Sequence, residues 1–219
     1  MRPGEQDLRA GLKALQLDLG DAQVGQLLDY RDLIGKWTKV YNLTAVRDPA
    51  EMLTHHLLDS LAAVLPLRRH LQKAGLGLSA RLLDVGSGAG LPGVVIAICC
   101  PEVAVTCVDT VAKKAAFIKQ AALALKLPNL SGLHARVETI AAPFEVICSR
   151  AFASLPDFTN WSVGALASQG AWMAMKGKHP ADEIAALPAG VEVFHVEQLQ
   201  VPGLDAERCI VWMRKKTAA

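Results

Sequence analysis

Residues 82–93 read Leu-Leu-Asp-Val-Gly-Ser-Gly-Ala-Gly-Leu-Pro-Gly, an apolar run that ends abruptly in a glycine-rich turn. Leu82, Leu83 and Val85 suit a buried parallel strand, and Gly86, Gly88 and Gly90 remove the Cβ atoms that would keep the backbone from wrapping closely around a ligand. Pro92 fits the first turn of a following helix, where its missing N–H costs nothing. A dinucleotide site of the Gly-x-Gly-x-x-Gly kind needs a small third residue at position 91, and that position is Leu91. A second run, Val103 to Val108, ends in Asp109, whose carboxylate can accept hydrogen bonds from both hydroxyls of a ribose. The interval from the glycines to that acid is close to the roughly 20 residues expected of nucleoside-binding α/β folds. Asp84 either belongs to the ligand site or braces the glycine loop through backbone N–H groups.

The surrounding pattern says what must position these residues. Val24, Leu27, Leu28, Ile34 and Trp37 recur at helical spacing, which predicts a helix from Asp21 to about Tyr41 with Trp37 and Tyr41 on its buried face. Asp48-Pro49 is a helix start, with Asp48 capping free N–H groups and Pro49 in the first position, and the helix is expected to run through Leu53, Leu57 and Leu61 to about Pro66. Gly75-Leu76-Gly77 breaks that pattern. Beyond it, apolar runs alternate with helical stretches: Leu82 to Val85, Val103 to Val108, Leu130 to His134, Glu145 to Ser149, Ala171 to Lys176, Val191 to Gln198 and Arg208 to Met213. The alternation predicts an α/β fold, a doubly wound, mostly parallel, seven-stranded sheet. Only a loop with Pro202 and Gly203 joins the last two strands, so they should pair antiparallel at the sheet edge. Residues 1–78 are expected to form a small helical appendage on a domain of residues 79–219.

Composition excludes several classes. The 219 residues are 52% apolar, enough for a well-buried core, and their formal charge of +2 permits a nucleic-acid partner without arguing for one. No apolar stretch reaches the roughly 18 residues of a membrane span, and Glu5 and Asp7 lie where a secretory leader would be apolar, so a cytoplasmic protein without a membrane partner is expected. Cys99, Cys100, Cys107, Cys148 and Cys209 show no metal-ligand spacing, so no metal is expected and buried thiols are the ordinary reading.

The Gly-x-Gly-x-Gly turn with Asp84 before it resembles the first motif of class I S-adenosylmethionine-dependent methyltransferases. Taken with Asn42-Leu43-Thr44-Ala45-Val46-Arg47-Asp48-Pro49, His56-x-x-Asp59-Ser60, Leu91-Pro92-Gly93, Ser149-Arg150-Ala151-Phe152-Ala153-Ser154-Leu155 and Lys176-Gly177, it resembles the glucose-inhibited division protein B family of bacterial 16S ribosomal RNA guanine-N7 methyltransferases. The likeness runs from about Lys36 to Met213. One departure is His55, where the family's pattern leads one to expect Arg or Lys. The resemblance implies S-adenosyl-L-methionine as cofactor, contacted by Gly86 and Leu91, with Val137 and Glu138 at its adenine end and Arg150 in its site. Gly88 and Asp109 join them on the reading of the residues themselves. Arg150 can grip a carboxylate with two charge-assisted bonds, the methionyl carboxylate above all, or pair with a nearby acid. Glu138 is equally compatible with a solvated helix start. His56 and Asp59 either brace the helical segment against the sheet or approach the substrate, and the brace is favoured.

Absent motifs narrow the chemistry. No Asn/Asp-Pro-Pro-aromatic motif for exocyclic amines follows the fourth strand, and neither Cys100 nor Cys148 is placed to be a nucleophile. Guanine N7 has a lone pair and no proton to lose, so no catalytic side chain is required beyond positioning. The implied partner is 16S ribosomal RNA or the small ribosomal subunit, met by a monomer. Arg47, Lys113, Lys114, Lys176 and Lys178 are the candidate RNA contacts, with Lys36 and Lys39 near Arg47, and Lys113, Lys114 and Lys178 expected to project from the rim rather than into the crevice. For any single lysine a solvated surface is the ordinary role. Two rival readings are a small-molecule methyltransferase and a non-catalytic S-adenosylmethionine- or RNA-binding assembly protein.

Overall fold

A computed structural model describes residues 2–76 and 80–216. Ahead of the sheet come α1 (Glu5–Ala14), α2 (Asp21–Tyr41), α3 (Pro49–Met52), a π-helical turn (Leu53–Leu58), α4 (Asp59–Leu61) and α5 (Val64–Lys73). There follow β1 (Arg81–Val85), α6 (Gly93–Cys99), β2 (Ala104–Asp109), α7 (Ala112–Ala124), β3 (Leu130–His134), β4 (Phe144–Arg150), α8 (Leu155–Ser162), β5 (Leu166–Lys176), α9 (Ala181–Ala185), β6 (Val191–Leu199) and β7 (Arg208–Lys215). The seven strands lie in the order β3-β2-β1-β4-β5-β7-β6. All neighbours are parallel except at β7, which is antiparallel to both β5 and β6. The two final strands therefore pair as expected, but β7 inserts between β5 and β6, a choice that spacing along the chain does not encode.

Each inner strand is apolar on both faces because both faces are covered. On one side Leu82, Cys107, Cys148 and Met173 join a buried cluster with Leu27, Ile34, Leu57, Leu67, Val94 and Ile118 from the helices. On the other, Leu83, Val85, Ile147 and Trp172 pack with Leu155 and Phe158 of α8. The helices before β1 thus share one continuous core with the sheet. The boundary expected between residues 78 and 79 lies outside the described residues, as does Gly77. All five cysteines are buried and unpaired. No helix among the described residues is long and apolar enough to cross a membrane.

Three helical expectations need correction. The stretch expected as one helix from Pro49 to Pro66 passes through the π-helical turn and restarts at Val64, so Pro66 lies in the first turn of α5 rather than at an end. A first-turn N–H has no intrahelical partner, so Pro is tolerated there as readily as at a terminus. Leu53, Leu57 and Leu61 are buried as their spacing requires, which is why periodicity alone hides the break. Tyr41, expected on the buried face of α2, is 45% exposed, because the helix runs past the core and Tyr41 leans on Trp37, 5.0 Å away between ring centroids. Pro92 precedes α6 as its cap instead of opening it.

The glycine loop is tied to α2 from below. Tyr30 is fully buried and its hydroxyl donates to the Ala89 carbonyl at 2.6 Å. Tyr30→Phe removes the donor and leaves that carbonyl unpaired, which should cost about 1 to 3 kcal/mol in urea unfolding. An unchanged midpoint would show that the bond contributes nothing net.

Candidate active site

The strand order reverses between β1 and β4, and a doubly wound sheet has its ligand crevice at that point, beyond the carboxyl ends of the strands. There the structure has a cleft of about 480 Å³, whose walls include Gly86, Asp109, Lys114, Glu138, Phe152 and Trp161. The glycine turn forms its floor. Gly86 has φ 64°, and a Cβ there would stand 2.1 Å from Cδ2 of Phe152, so the absent side chain makes room for an aromatic wall. Gly88 has φ 58° with open space where a Cβ would stand, so it is the left-handed backbone, and not any crowding, that favours glycine there. The N–H groups of Gly86 and Ser87 donate to the Val108 carbonyl at 2.9 and 3.2 Å, which locks the turn onto β2.

Asp109 closes the same junction. Its Oδ2 accepts from the Gly88 N–H at 3.0 Å and its Oδ1 from the Val111 N–H at 2.9 Å. Each carboxylate oxygen keeps a second lone pair, and Asp109 lines the cleft. Lys114 stands 3.8 Å from Asp109 and lines the cleft too, so it points inward and not from the rim as expected. A short 3₁₀ turn, Val137–Thr139, brings Val137 and Glu138 to the far wall, where the Glu138 carboxylate accepts from Arg136 at 2.8 Å and is held below its ordinary pKa chiefly by that bond.

The structure therefore gathers Gly86, Asp109, Val137 and Glu138 around one cleft. Gly88 holds Asp109 from behind, and Leu91 is buried beneath the loop, its N–H bonded to the Ser87 carbonyl at 3.1 Å. Arg150 lies in an adjoining depression with His55, Asp59, Lys176 and Arg208, and Ala151 belongs to both hollows. Its Nη1 donates to Asp59 Oδ2 at 2.7 Å and to the His55 carbonyl at 2.8 Å, while Arg208 Nε donates to Asp59 Oδ1 at 2.9 Å. Asp59 thus ties the N-terminal helices to the ends of β4 and β7. His56 Nε2 pairs with Thr44 Oγ1 at 2.8 Å, and burial lowers its pKa, which favours the neutral ring. Asp59 is the brace between helices and sheet, whereas the hydrogen bond of His56 stays within the N-terminal segment.

Among the lysines, Lys176 Nζ donates to the Ala153 carbonyl at 2.9 Å and to Glu183 at 2.8 Å, whereas Lys178 is exposed. Lys113 Nζ lies 5.9 Å over the Tyr41 ring, and Arg47 donates to Asn42 Oδ1 at 3.0 Å. Phe152 and Trp161, edge to face at 5.8 Å, are cleft walls that sequence reasoning missed as contacts. Phe152 stands inside the motif that runs from Ser149 to Leu155 and was findable; Trp161, on α8, carries no local signal.

Residues 23–211 match the family described as rRNA small subunit methyltransferase G. The chain is 85% identical over 219 residues to the ribosomal RNA small subunit methyltransferase G of Polaromonas sp. (strain JS666), covering 100% of this chain and 97% of that protein. Among solved structures, the ribosomal protein L11 methylase of Lactobacillus delbrueckii subsp. bulgaricus superimposes with a TM-score of 0.57 at 13% identity, covering 73% of this chain and 79% of the other. A SAM-dependent methyltransferase of Aquifex aeolicus gives 0.53 at 17% identity, covering 76% and 93%. These two likenesses establish the fold, that of the class I S-adenosylmethionine-dependent methyltransferases.

Beneath the cleft, Asp84 is fully buried; its Oδ2 accepts from the Gly93 N–H at 2.8 Å and its Oδ1 has no partner among the described residues. It holds the start of α6 in place. Burial lifts its carboxyl to a pKa of about 7, against the opposing pull of the Gly93 N–H and the Arg150 charge. Below about pH 4 the native and unfolded chains both carry the proton and the group is neutral in the balance. As pH climbs from about 4 to about 7 the unfolded chain ionises first, so the native state loses stability, and the loss is complete above that window. Asp84→Asn removes this dependence. Urea midpoints at pH 5 and pH 8 should show the natural protein gaining on the variant at the lower pH; parallel behaviour of the two would contradict a buried titrating carboxyl.

Proposed function

The chain belongs to the rRNA small subunit methyltransferase G family, and from that membership and the cleft we propose that it methylates N7 of a guanine in 16S ribosomal RNA. The observation that carries the N7 chemistry is that both carboxylates of the cleft are already held in hydrogen bonds. Asp109 is engaged by two backbone N–H groups, Glu138 by Arg136, and the nearby His56 by Thr44. An acceptor nitrogen that must first lose a proton would have only these already hydrogen-bonded groups to give it to. Guanine N7 has none to lose.

A cleft of about 480 Å³ suits a ligand the size of a nucleoside with an amino-acid head. When bound, S-adenosylmethionine supplies an electrophilic methyl group on a sulfonium sulfur. Asp109 accepts hydrogen bonds from the ribose hydroxyls with its free lone pairs. Val137 and Glu138 wall the adenine end, and the backbone of the Gly86 turn bears on the amino-acid head. Arg150 has further N–H donors without protein partners among the described residues, and these can reach a carboxylate while Nη1 stays on Asp59. Phe152 and Trp161 keep water from the reacting face. Held there, S-adenosylmethionine would supply the methyl carbon and take back the carbon–sulfur electron pair, and the purine, attacking through its N7 lone pair, would be left with the positive charge. Rate enhancement comes from alignment, for which effective molarities of roughly 10⁵ M or more are attainable. The residues up to 78 act as an appendage to the transferase unit of residues 79–219, and the protein works in the cytoplasm as a monomer on ribosomal RNA.

Transfer of labelled methyl to small-subunit RNA, followed by digestion to nucleosides, tests the reading. Label in 7-methylguanosine is expected; label in another nucleoside removes the N7 assignment, and none in RNA removes the enzyme. Asp109→Ala should weaken cofactor binding about tenfold or more, since hydrogen bonds to a charged group are typically worth about 1.5 to 3 kcal/mol. Calorimetry on a variant shown to be folded by circular dichroism measures this, and unchanged affinity would take Asp109 out of the site.

A further inference from the structure

At the C-terminal half of α2, away from the cofactor cleft, lies a pocket of about 360 Å³ with Arg31, Asp32, Lys36, Thr38, Lys39 and Arg47 in its walls. Two independent features mark it. The first is charge. Asp32 is the lone acid in those walls and is already paired twice, with Arg31 Nη2 at 2.7 Å and Arg2 Nη2 at 2.8 Å. Lys36 and Lys39 have no carboxylate partner among the described residues, and Arg47 donates to the neutral Asn42 side chain. The neighbouring Asp48 carboxylate is turned away to cap α3, accepting from the Ala50 N–H at 2.7 Å. Three positive charges are therefore left uncompensated around one hollow.

The second feature is Thr38. It is 2% exposed, lines the pocket, and its hydroxyl has no hydrogen-bond partner among the described residues. A helical threonine usually recovers by bonding back to a carbonyl one turn earlier. Here it does not, and a buried unpaired hydroxyl costs about 1 to 3 kcal/mol unless something supplies an acceptor. Three cations and a waiting hydroxyl donor fit a phosphate oxygen.

The opposite side of α2 faces α7, which borders the cleft. Val40 and Tyr41, on the same helix, are 70% and 45% exposed, and Lys113 lies over the Tyr41 ring next to Lys114, which lines the cofactor cleft. Alternating cations and an exposed aromatic face are what tracks an unpaired strand, through its backbone charge and its bases. We propose that this pocket holds a backbone phosphate of the ribosomal RNA segment that leads to the target guanine, with Lys36, Lys39 and Arg47 neutralising it and the Thr38 hydroxyl donating to a phosphate oxygen. The assignment rests on the RNA-methyltransferase reading above, and goes beyond it in placing an anchor distant from the reacting atoms.

The probe is a fragment of small-subunit RNA, titrated against the natural protein and two variants at several salt concentrations. Thr38→Val keeps the shape and removes only the hydroxyl. Its thermal midpoint should be equal or higher, because an unpaired buried group is gone, while RNA binding weakens about tenfold. Lys36→Gln, Lys39→Gln and Arg47→Gln together should lower the slope of log affinity against log salt by about 0.7, the share of one phosphate contact on a single strand. S-adenosylmethionine affinity should stay constant in both. Unchanged RNA affinity in Thr38→Val, or an unchanged slope in the triple variant, overturns the pocket. Natural protein that binds RNA without methylating it sinks the functional reading while the titration still decides the pocket; no RNA binding at all overturns both.

Discussion

A chain leaving a strand at positive φ exposes consecutive backbone N–H groups that no helix or ladder can satisfy, and the organisation of this protein follows from how they are met. The Gly86 and Ser87 donors go to the Val108 carbonyl, that of Gly88 to Asp109 and that of Gly93 to Asp84. Two carboxylates and one carbonyl at the ends of β1 and β2 thus fix the turn. Because the partners sit on neighbouring strands, the turn cannot shift without disturbing the sheet, and the cleft inherits the rigidity of the core. The low dielectric that raises the Asp84 pKa is a consequence of this arrangement.

The N-terminal helices serve the same geometry from the other side. Tyr30 reaches the loop at Ala89, and Asp59 receives Arg150 and Arg208 from β4 and β7. Charges so enclosed gain little net stability, since desolvation offsets most of their attraction. What they supply is direction. Arg150 is held at the edge of the cleft with donors to spare, and the π-helical turn brings His56 and Asp59 inward together, both buried.

An rRNA enzyme of only +2 net charge has to gather its cations where they are needed. Several of the positive side chains are consumed internally: Arg150 and Arg208 by Asp59, Lys176 by Glu183, Arg31 by Asp32. Those at the end of α2 are not, and they lie on the helix whose middle, at Tyr30, supports the cofactor loop. Substrate anchoring and loop support thus share one rigid element.

Much of this was legible along the chain because it is local. Strand β1, its glycine turn and Asp109 declare themselves by an apolar run, by residues without Cβ atoms and by an acid at the right interval, and the seven strands lie where short apolar runs alternate with helical spacing. Burial of Leu53, Leu57 and Leu61 likewise follows from period alone. The tertiary structure decided whatever depends on partners distant in sequence. It inserted β7 between β5 and β6, restarted the helix at Val64, turned Lys114 into the cleft and left Tyr41 outside the core. It also set Arg150 against Asp59, 91 residues away, and gave the Thr38 hydroxyl no partner among the described residues. Spacing specifies which face of an element is apolar, but which donor meets which acceptor is fixed only when the elements pack, because those choices are made by geometry between segments and not by the residues of either one.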